Sequence, residues 1–257
     1  MARPADPHAR SSLVSAARRE FVRRGLKGAR IEDITAACGL SKGAFYLHFP
    51  SKEALFGEVV GAFESGLMEM NGRRMAHMER FFQAHGIPGA RDRIERSERY
   101  LRFLQLEKAH DLAALDWVWE FRDVSLVLTS GSQGTAFESL LWRMTDAQVE
   151  RVSHDFRRLQ EAGAMDPEVD AHIFASIIVG SFLLLSTQMA RLDEKPDLNA
   201  WANTLQRLCQ EGTRPAQPSS VEAPPSPARA PRAPSTRVAR RPRAAAQKPR
   251  KTPRKRS

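Results

Sequence analysis

Apolar side chains recur at helical spacing over most of the chain. Leu13, Val14, Ala17 and Phe21 fall on one face of a 3.6-residue period, and Gly25 follows where a helix stop is expected. Ile31, Ile34, Ala37 and Cys38 mark a second, short face that Gly39 ends. Ser41 then offers a hydroxyl N-cap to a third helix running to about His48, and Pro50 stops it. Ser51 caps a fourth, whose apolar positions Leu55, Phe56, Val59, Val60, Phe63, Leu67 and Met70 continue toward Phe82. Past a break at 85–89, the pattern predicts helices at about 90–109, 111–129, 135–162, 167–191 and 197–211. Breaks at Ser130-Gly131, Gly163 and Lys195-Pro196 separate them, with Pro167 in a first turn. No alternating strand pattern competes, so the expectation is an all-α chain of about nine helices.

The stretch from Arg30 to Phe49 places two short helices around a glycine-containing turn, the layout of a helix-turn-helix. If residues 41–48 are helical, Phe45 and Phe49 share one face with Leu40 and should pack on Ile34 and Phe21. Gly43, Ala44, Tyr46 and Leu47 then point outward. Small residues at 43 and 44 would let the backbone approach a groove, Tyr46 and His48 could reach phosphate oxygens, and Lys42 adds charge. An outward Leu47 suits a thymine methyl or a sugar better than plain solvent. Taken singly, each has an ordinary reading: a Ser-Lys-Gly turn is common, Tyr46 could be a surface aromatic and His48 a partly buried histidine. Cys38 reads as a small core residue, with no neighbouring cysteine or thiolate-stabilising partner.

In combination, Phe21, Gly25, Ile34, Gly39, Ser41-Lys42-Gly43, Phe45-Tyr46, His48-Phe49-Pro50 and Ser51-Lys52-Glu53 resemble the DNA-binding domain of the tetracycline-repressor (TetR/AcrR) family, over about Ala9 to Val60. The resemblance implies that the third helix enters the major groove and that Tyr46 and His48 touch phosphates. It implies the same for Lys52 at the start of the fourth helix. Where the family commonly has Ser or Thr, this chain has Arg30, which loses a good N-cap and offers a phosphate contact instead. Thr35 and Cys38 stand where alanine is usual, and both are small enough for tight helix crossing. The expected DNA-binding set is Arg30, Ser41, Lys42, Gly43, Ala44, Tyr46, Leu47, His48 and Lys52.

Residues 69–211 resemble the family only in helix count and layout. Trp117, Trp119, Phe121, Phe137, Trp142 and Met144 gather most of the tryptophan in the middle helices. Trp117, Phe121, Phe137 and Trp142 are candidates to line an apolar cavity for a small-molecule effector, with core packing as the plainer role. Asp116, Asp123 and Gln133 could add polar selectivity. The helix at about 167–191 is apolar on nearly all sides, so protein should enclose it. With Trp201, Leu205 and Leu208 on the last helix, it would form an intersubunit four-helix bundle, as the resemblance implies; Gly180 and Ser176 permit close approach. The alternative is the central helix of a monomer.

Formal charge sharpens this division. The chain carries +10 overall, but Gly212 to Ser257 holds 13 Lys and Arg against the single acid Glu222, leaving the preceding residues at −2. DNA contact by the globular part must therefore come from a local patch. The tail also has ten prolines and almost no large apolar residue, so its composition predicts disorder and phosphate tracking without base readout. Expected divisions are a flexible 1–8, a DNA-binding domain at 9–68, an effector and dimerisation domain at 69–211 and the tail at 212–257.

Cys38 and Cys209 are too few and too far apart for a disulfide framework or a zinc site, and His110 and His172 are too distant in sequence to imply a metal. Met1 to Ala17 lacks the apolar run of a secretory signal. Residues 171–190 approach membrane-spanning length, but a buried interface helix fits better. No GxSxG, P-loop, GxGxxG or metal-spaced His and Cys set argues for an enzyme, and no cofactor is expected. The sequence thus predicts a cytoplasmic, nucleoid-associated homodimer that binds a palindromic operator on double-stranded DNA and answers a small-molecule effector. An architectural DNA-binding protein dominated by its tail is the competing expectation.

Overall fold

In the computed structural model, residues 7–212 are described. They form α1 (Pro7–Gly28), α2 (Ile31–Ala37), α3 (Lys42–His48), α4 (Lys52–His85), α5 (Ala90–Glu95), α6 (Glu98–Glu120), α7 (Arg122–Ser130), α8 (Leu140–Glu161), α9 (Ala171–Met189) and α10 (Leu198–Gly212). No strand occurs among the described residues. The expected flexible N-terminus and disordered tail fall largely outside those residues.

A head is built from α1, α2, α3 and the first turns of α4. Leu13, Ala17, Phe21, Ile34, Phe45, Leu55 and Phe56 are each at most 1% exposed, as the one-sided pattern of these short helices requires. Phe21 meets Phe56 edge-on with ring centroids 5.0 Å apart, and Phe45 lies 5.9 Å from Phe49. Burying a side chain of this size stabilises by about 1.5–3 kcal/mol, so a few aromatics hold a small unit.

Two glycines set the head's turns. Gly39 has φ +68, and Leu40 and Gly39 donate to the carbonyls of Thr35 and Ala36, closing α2 as a Schellman turn. Gly25, with φ +65, kinks α1 instead of ending it. A Cβ there would sit 3.0 Å from the Gly131 carbonyl oxygen, which accepts a hydrogen bond from the Leu26 N–H. This glycine is thus a junction with the end of α7.

Among the described residues there are ten helices, not nine, because of two breaks that no glycine or proline marks. Arg96 adopts φ 50, and the Ser97 hydroxyl accepts from the Tyr100 N–H to open α6. Asp92 accepts from the Gly89 N–H, the Ser97 hydroxyl and Arg99, and those bonds pull its carboxyl down to about 2. The expected interruption near residue 110 is absent. Tyr100, Phe103, His110, Leu115 and Val118 stay in phase on one buried face, and the chain turns at Phe121 instead. Pro167 lies in the turn before α9, whose N-cap is Asp170, and α8 begins at Leu140 after a run of turns.

The remaining helices form the body. The long α4 crosses residue 68 without a break and carries the head's core into it. The head's apolar cluster continues into Val124, Val127 and Leu128 of α7 and Leu140 and Leu141 of α8. The pair α8 and α9 packs closely, with Phe156 and Phe174 stacked at 4.2 Å. Although α9 is long and apolar enough to cross a membrane, here it lies against α6, α7 and α8. It is not enclosed on all sides, because Ile173, Ile177 and Leu184 are about 60% exposed along one stripe. Trp201 and Leu205 turn inward to Met189, Leu198 and Ala202, leaving Leu208 of α10 outward.

Candidate nucleic-acid interface and effector cavity

The third helix is short and firmly seated. The Ser41 Oγ accepts from the Ala44 N–H at 3.1 Å, Phe45 is fully buried, and Phe49 is 3% exposed. Arg10 of α1 braces its far end, donating to the His48 carbonyl at 3.1 Å, pairing with Glu58 of α4 and stacking over the Phe49 ring. With that face anchored, Tyr46 is 50% and Leu47 69% exposed, while Gly43 is exposed, with only the Ser41 Oγ, at 3.7 Å, near a Cβ placed there. Ala44 and His48 are half-buried beside them.

The cations of the expected set differ in how far they are committed. Arg30 is exposed at the N-cap of α2 and makes no side-chain cap, leaving its guanidinium to solvent. Lys42 Nζ lies 2.6 Å from Glu32 Oε1; the hydrogen bond raises the lysine and lowers the glutamate. So exposed a pair adds little stability, and a phosphate can displace it. Lys52 is tied down: its Nζ donates to the carbonyls of Lys27 and Ala29 at 2.9 and 3.0 Å, satisfying the frayed end of α1. Thr35 and Cys38 return their side chains to backbone carbonyls of α2, so the close α2–α3 crossing keeps no orphan polar group there.

A cavity of about 840 Å³ opens in the body between α4, α6, α8 and α9. Trp117 and Phe121 line it, with the Phe63 ring tilted against Trp117 at 4.6 Å between centroids. Phe137 and Trp142 do not: Phe137 packs edge-on to Phe56 on the head side, and Trp142 is 60% exposed on α8. Both lie near the start of α8, where the expected continuous helix gives way to turns, so their assumed phase was wrong. Of the expected polar groups, Asp116 reaches the rim, paired with Lys195 at 2.6 Å. Asp123 is instead held by Arg18 of α1, at 2.8 and 2.5 Å. That hydrogen bond, ahead of a desolvation cost, raises the arginine's pKa. Arg18 also lies 5.4 Å over the Phe121 ring, so one cavity-wall residue touches the head directly. Gln133 bonds only its own turn, at the Thr129 carbonyl.

The cavity's charged band has a weak sequence signal. Glu107, His110 and Asp111 share a face of α6, and Arg151 and Asp155 sit four residues apart on the mostly apolar stripe of α8. Charges at apolar-phase positions were the available clue. Arg74 of α4 lies 2.7 Å from Glu107 and 3.8 Å from Asp111, and Arg151 lies 3.2 Å from Asp155. Burial raises Asp111 to about 7 against the pull of Arg74. For Glu107, burial is opposed by Arg74 and His110, which hold it below its ordinary value.

A braced short helix offering small and polar residues outward, above a hollow helical body, is the arrangement of a helix-turn-helix DNA-binding domain. Residues 13–59 match the model of bacterial regulatory proteins of the tetR family. The HTH-type transcriptional repressor DhaR of Mycobacterium sp. (strain GP1) is 47% identical over 58 residues, which is 23% of this chain and 29% of that protein. The uncharacterized HTH-type regulator YdgC of Bacillus subtilis (strain 168) is 38% identical over 61 residues, 24% of this chain and 31% of it. The chain thus spans under a third of the length of these curated relatives. Solved structures extend the likeness in fold. The fatty acid degradation regulator FadR from Bacillus halodurans superposes with TM-score 0.55 at 16% identity, over 83% of this chain and all of that one. The ketosteroid transcriptional regulator KstR2 of Mycobacterium tuberculosis gives 0.57 at 16%, over 80% and 95%. Residues 13–59 are thus a DNA-binding domain of the tetR family, and the chain as a whole is similar in fold to those solved regulators.

Proposed function

We propose that the protein is a cytoplasmic, ligand-responsive homodimeric repressor, and that α3 reads a palindromic operator while an effector in the body's cavity governs release. The observation that carries this reading is the seating of α3, with Phe45 and Phe49 anchored inward and Gly43, Tyr46 and Leu47 presented outward. Base readout falls to residues 42–47, and Arg30 and His48 serve phosphates. Dimerisation is supported by α9: Ile173, Ile177 and Leu184 form one exposed stripe, with Gly180 between them and no other atom within 4 Å of a Cβ placed there. The contacts Arg18–Asp123 and Gly25–Gly131 give the body a direct hold on α1. An effector that shifts Phe121 would tilt the head and alter the spacing of the two recognition helices.

Sequencing DNA selected by the purified protein tests this. Enrichment of a palindrome with half-sites about one helical turn apart is expected. No enriched site would instead favour an architectural protein bound through its tail. The same preparation, with and without residues 213–257, isolates the tail's share. If half its charges engage duplex, deletion should flatten the slope of log affinity against log salt by about 5 or 6 while leaving the preferred sequence unchanged.

A further inference from the structure

We propose that the effector of this cavity is a lipophilic cation: a bulky, largely aromatic or aliphatic body carrying one positive charge, recognised through Asp111. The proposal deepens the repressor reading by naming the chemical class of its ligand. The size and walls of the cavity fix the body of that ligand. At about 840 Å³, with Phe63, Trp117, Phe121, Phe174 and Phe182 among its lining, it suits a drug-sized apolar molecule, and aromatic faces also attract cations.

Charge balance fixes the sign. The inner band holds Arg74 and Arg151 against Glu107, Asp111 and Asp155, one carboxyl more than there are guanidiniums. Glu107 engages Arg74 at 2.7 Å and Asp155 engages Arg151 at 3.2 Å, while Asp111 stands off at 3.8 Å from an arginine already taken. At the rim, Glu69 and Asp116 are matched by Arg73 and Lys195, while Glu120 has near it only Arg18, already held by Asp123. The surplus charge of the inner band is therefore that of Asp111, and Glu120 adds to it at the rim.

A second set of groups awaits a partner. His110 is 8% exposed, and its Nδ1 has no hydrogen bond, Glu107 Oε1 being 3.8 Å away and equally unbonded. The unmet groups on the donor side, Arg74 Nε and Trp117 Nε1, are single N–H bonds. A neutral acceptor on the ligand satisfies them, because the charge of Arg74 is already countered by two carboxyls. An anionic ligand would add a negative charge to a band that has one too many. A cation supplies what the band lacks.

Without a ligand, burial meets the surplus by keeping a proton on Asp111 to about pH 7. Arg74 and Glu107 act on its charge, and the same lining holds His77 from α4, His110 from α6, Arg151 and Asp155 from α8 and Cys209 from α10. Cys209 is itself raised to about 11 by burial and by Asp111 and Glu107, so it stays a neutral thiol. A permanent cation therefore displaces the proton of Asp111, and its affinity rises with pH.

Tetraphenylphosphonium and tetraphenylborate are nearly the same size and opposite in charge, and calorimetry on the full-length protein compares them directly. The phosphonium should bind at least tenfold tighter. Its affinity should rise about tenfold from pH 6 to 8 as the fraction of ionised Asp111 grows, and in Asp111→Asn both the preference and the pH dependence should fall away. Equal or tighter binding of the borate, or binding of neither ion, overturns the proposal. The comparison in the natural protein needs no variant to fold and no DNA. Selectivity for the phosphonium without an enriched operator would sink the repressor reading and keep this one; an operator with preference for the borate would do the reverse.

Discussion

In the head, Phe21 and Phe45 meet protein on every side; farther along the same α4 that packs on Phe21, Met70 and Arg74 face a cavity of about 840 Å³. Packed helices thus fill one region and leave the other hollow. The difference lies in which residues occupy the inward stripe. Uninterrupted aliphatic and aromatic positions close the head, whereas α4, α6 and α8 each place charged side chains at inward positions of the body. Buried charges require partners and room for them, and they hold neighbouring helices apart. Stability should therefore reside in the head and responsiveness in the body.

Truncation tests that contrast most strongly. Phe21→Ala should cost about 3–5 kcal/mol, because a ring is removed from a site that cannot collapse. Met70→Ala, whose side chain already borders empty space, should cost less than about 1 kcal/mol by the same reasoning. Denaturant melts of both variants measure it, and comparable losses would show that the cavity wall is as tightly coupled to stability as the head.

Gly43→Leu should come next in size. A branched side chain on the exposed face of α3 would hold the helix off the groove and lower operator affinity at least a hundredfold, about 3 kcal/mol. Thermal stability should hardly change, since the position opens onto solvent and its φ is not in the left-handed region. Electrophoretic mobility shifts beside a melting curve decide it. A large fall in melting temperature would mean that the anchored and presented faces of α3 are assigned the wrong way round.

These two regions also differ in how much the sequence revealed. Leu13, Phe21, Ile34, Phe45 and Phe49 could be placed in one core because short helices between strong stops leave little freedom of phase. The body's errors arose where local signals were weak. Arg96 and Ser97 break the chain through a left-handed backbone and a hydroxyl cap, neither of which a glycine or proline announces. Trp142 and Phe137 were assigned to the cavity by residue type, yet the turns before Leu140 rotate them away from it. Arg18–Asp123 joins residues 105 apart in the chain, a contact no local pattern encodes.

Asp111 offers a third measure of the contrast, with a sign opposite to that of most carboxylates. Its pKa is raised from 3.8 to about 7 chiefly by burial, so the stability it permits is fully present below about pH 4 and lost as pH rises through 7. Asp111→Asn removes that penalty. The full shift corresponds to about 4 kcal/mol; with the side chain still 23% exposed and screened in part, the variant should match the natural protein near pH 4 and exceed it by roughly half of that at pH 8.5. Melting temperatures across this range follow the difference, and a gap that stays constant with pH would show that Asp111 is ionised throughout. Asp92, held down to about 2 by the Gly89 N–H, Ser97 and Arg99, should show the reverse, losing its contribution only in strong acid.

The smallest effect concerns Lys52, where the head's two duties compete. The family resemblance assigns its ammonium to a phosphate, but in the free protein its Nζ bonds the carbonyls of Lys27 and Ala29 at the end of α1. Lys52→Ala leaves those carbonyls to water, which can reach this exposed corner, so the loss should be about 1 kcal/mol. If the cap is its whole role, operator affinity per folded molecule stays unchanged at any salt concentration. If the ammonium also serves a phosphate, affinity falls evenly across DNA sequences, and the salt slope decreases by about 0.9, the value for one phosphate contact. Three hydrogens on one nitrogen allow both, since two donate to carbonyls and the third points away from them. We expect the smaller slope together with the modest loss of stability. Titrations at several salt concentrations on Lys52→Ala and Tyr46→Ala would separate the two, because Tyr46 is 50% exposed and caps no helix end, meeting the head only edge-on at the Phe45 ring. An unaltered slope in Lys52→Ala would assign the residue wholly to the turn between α1 and α2.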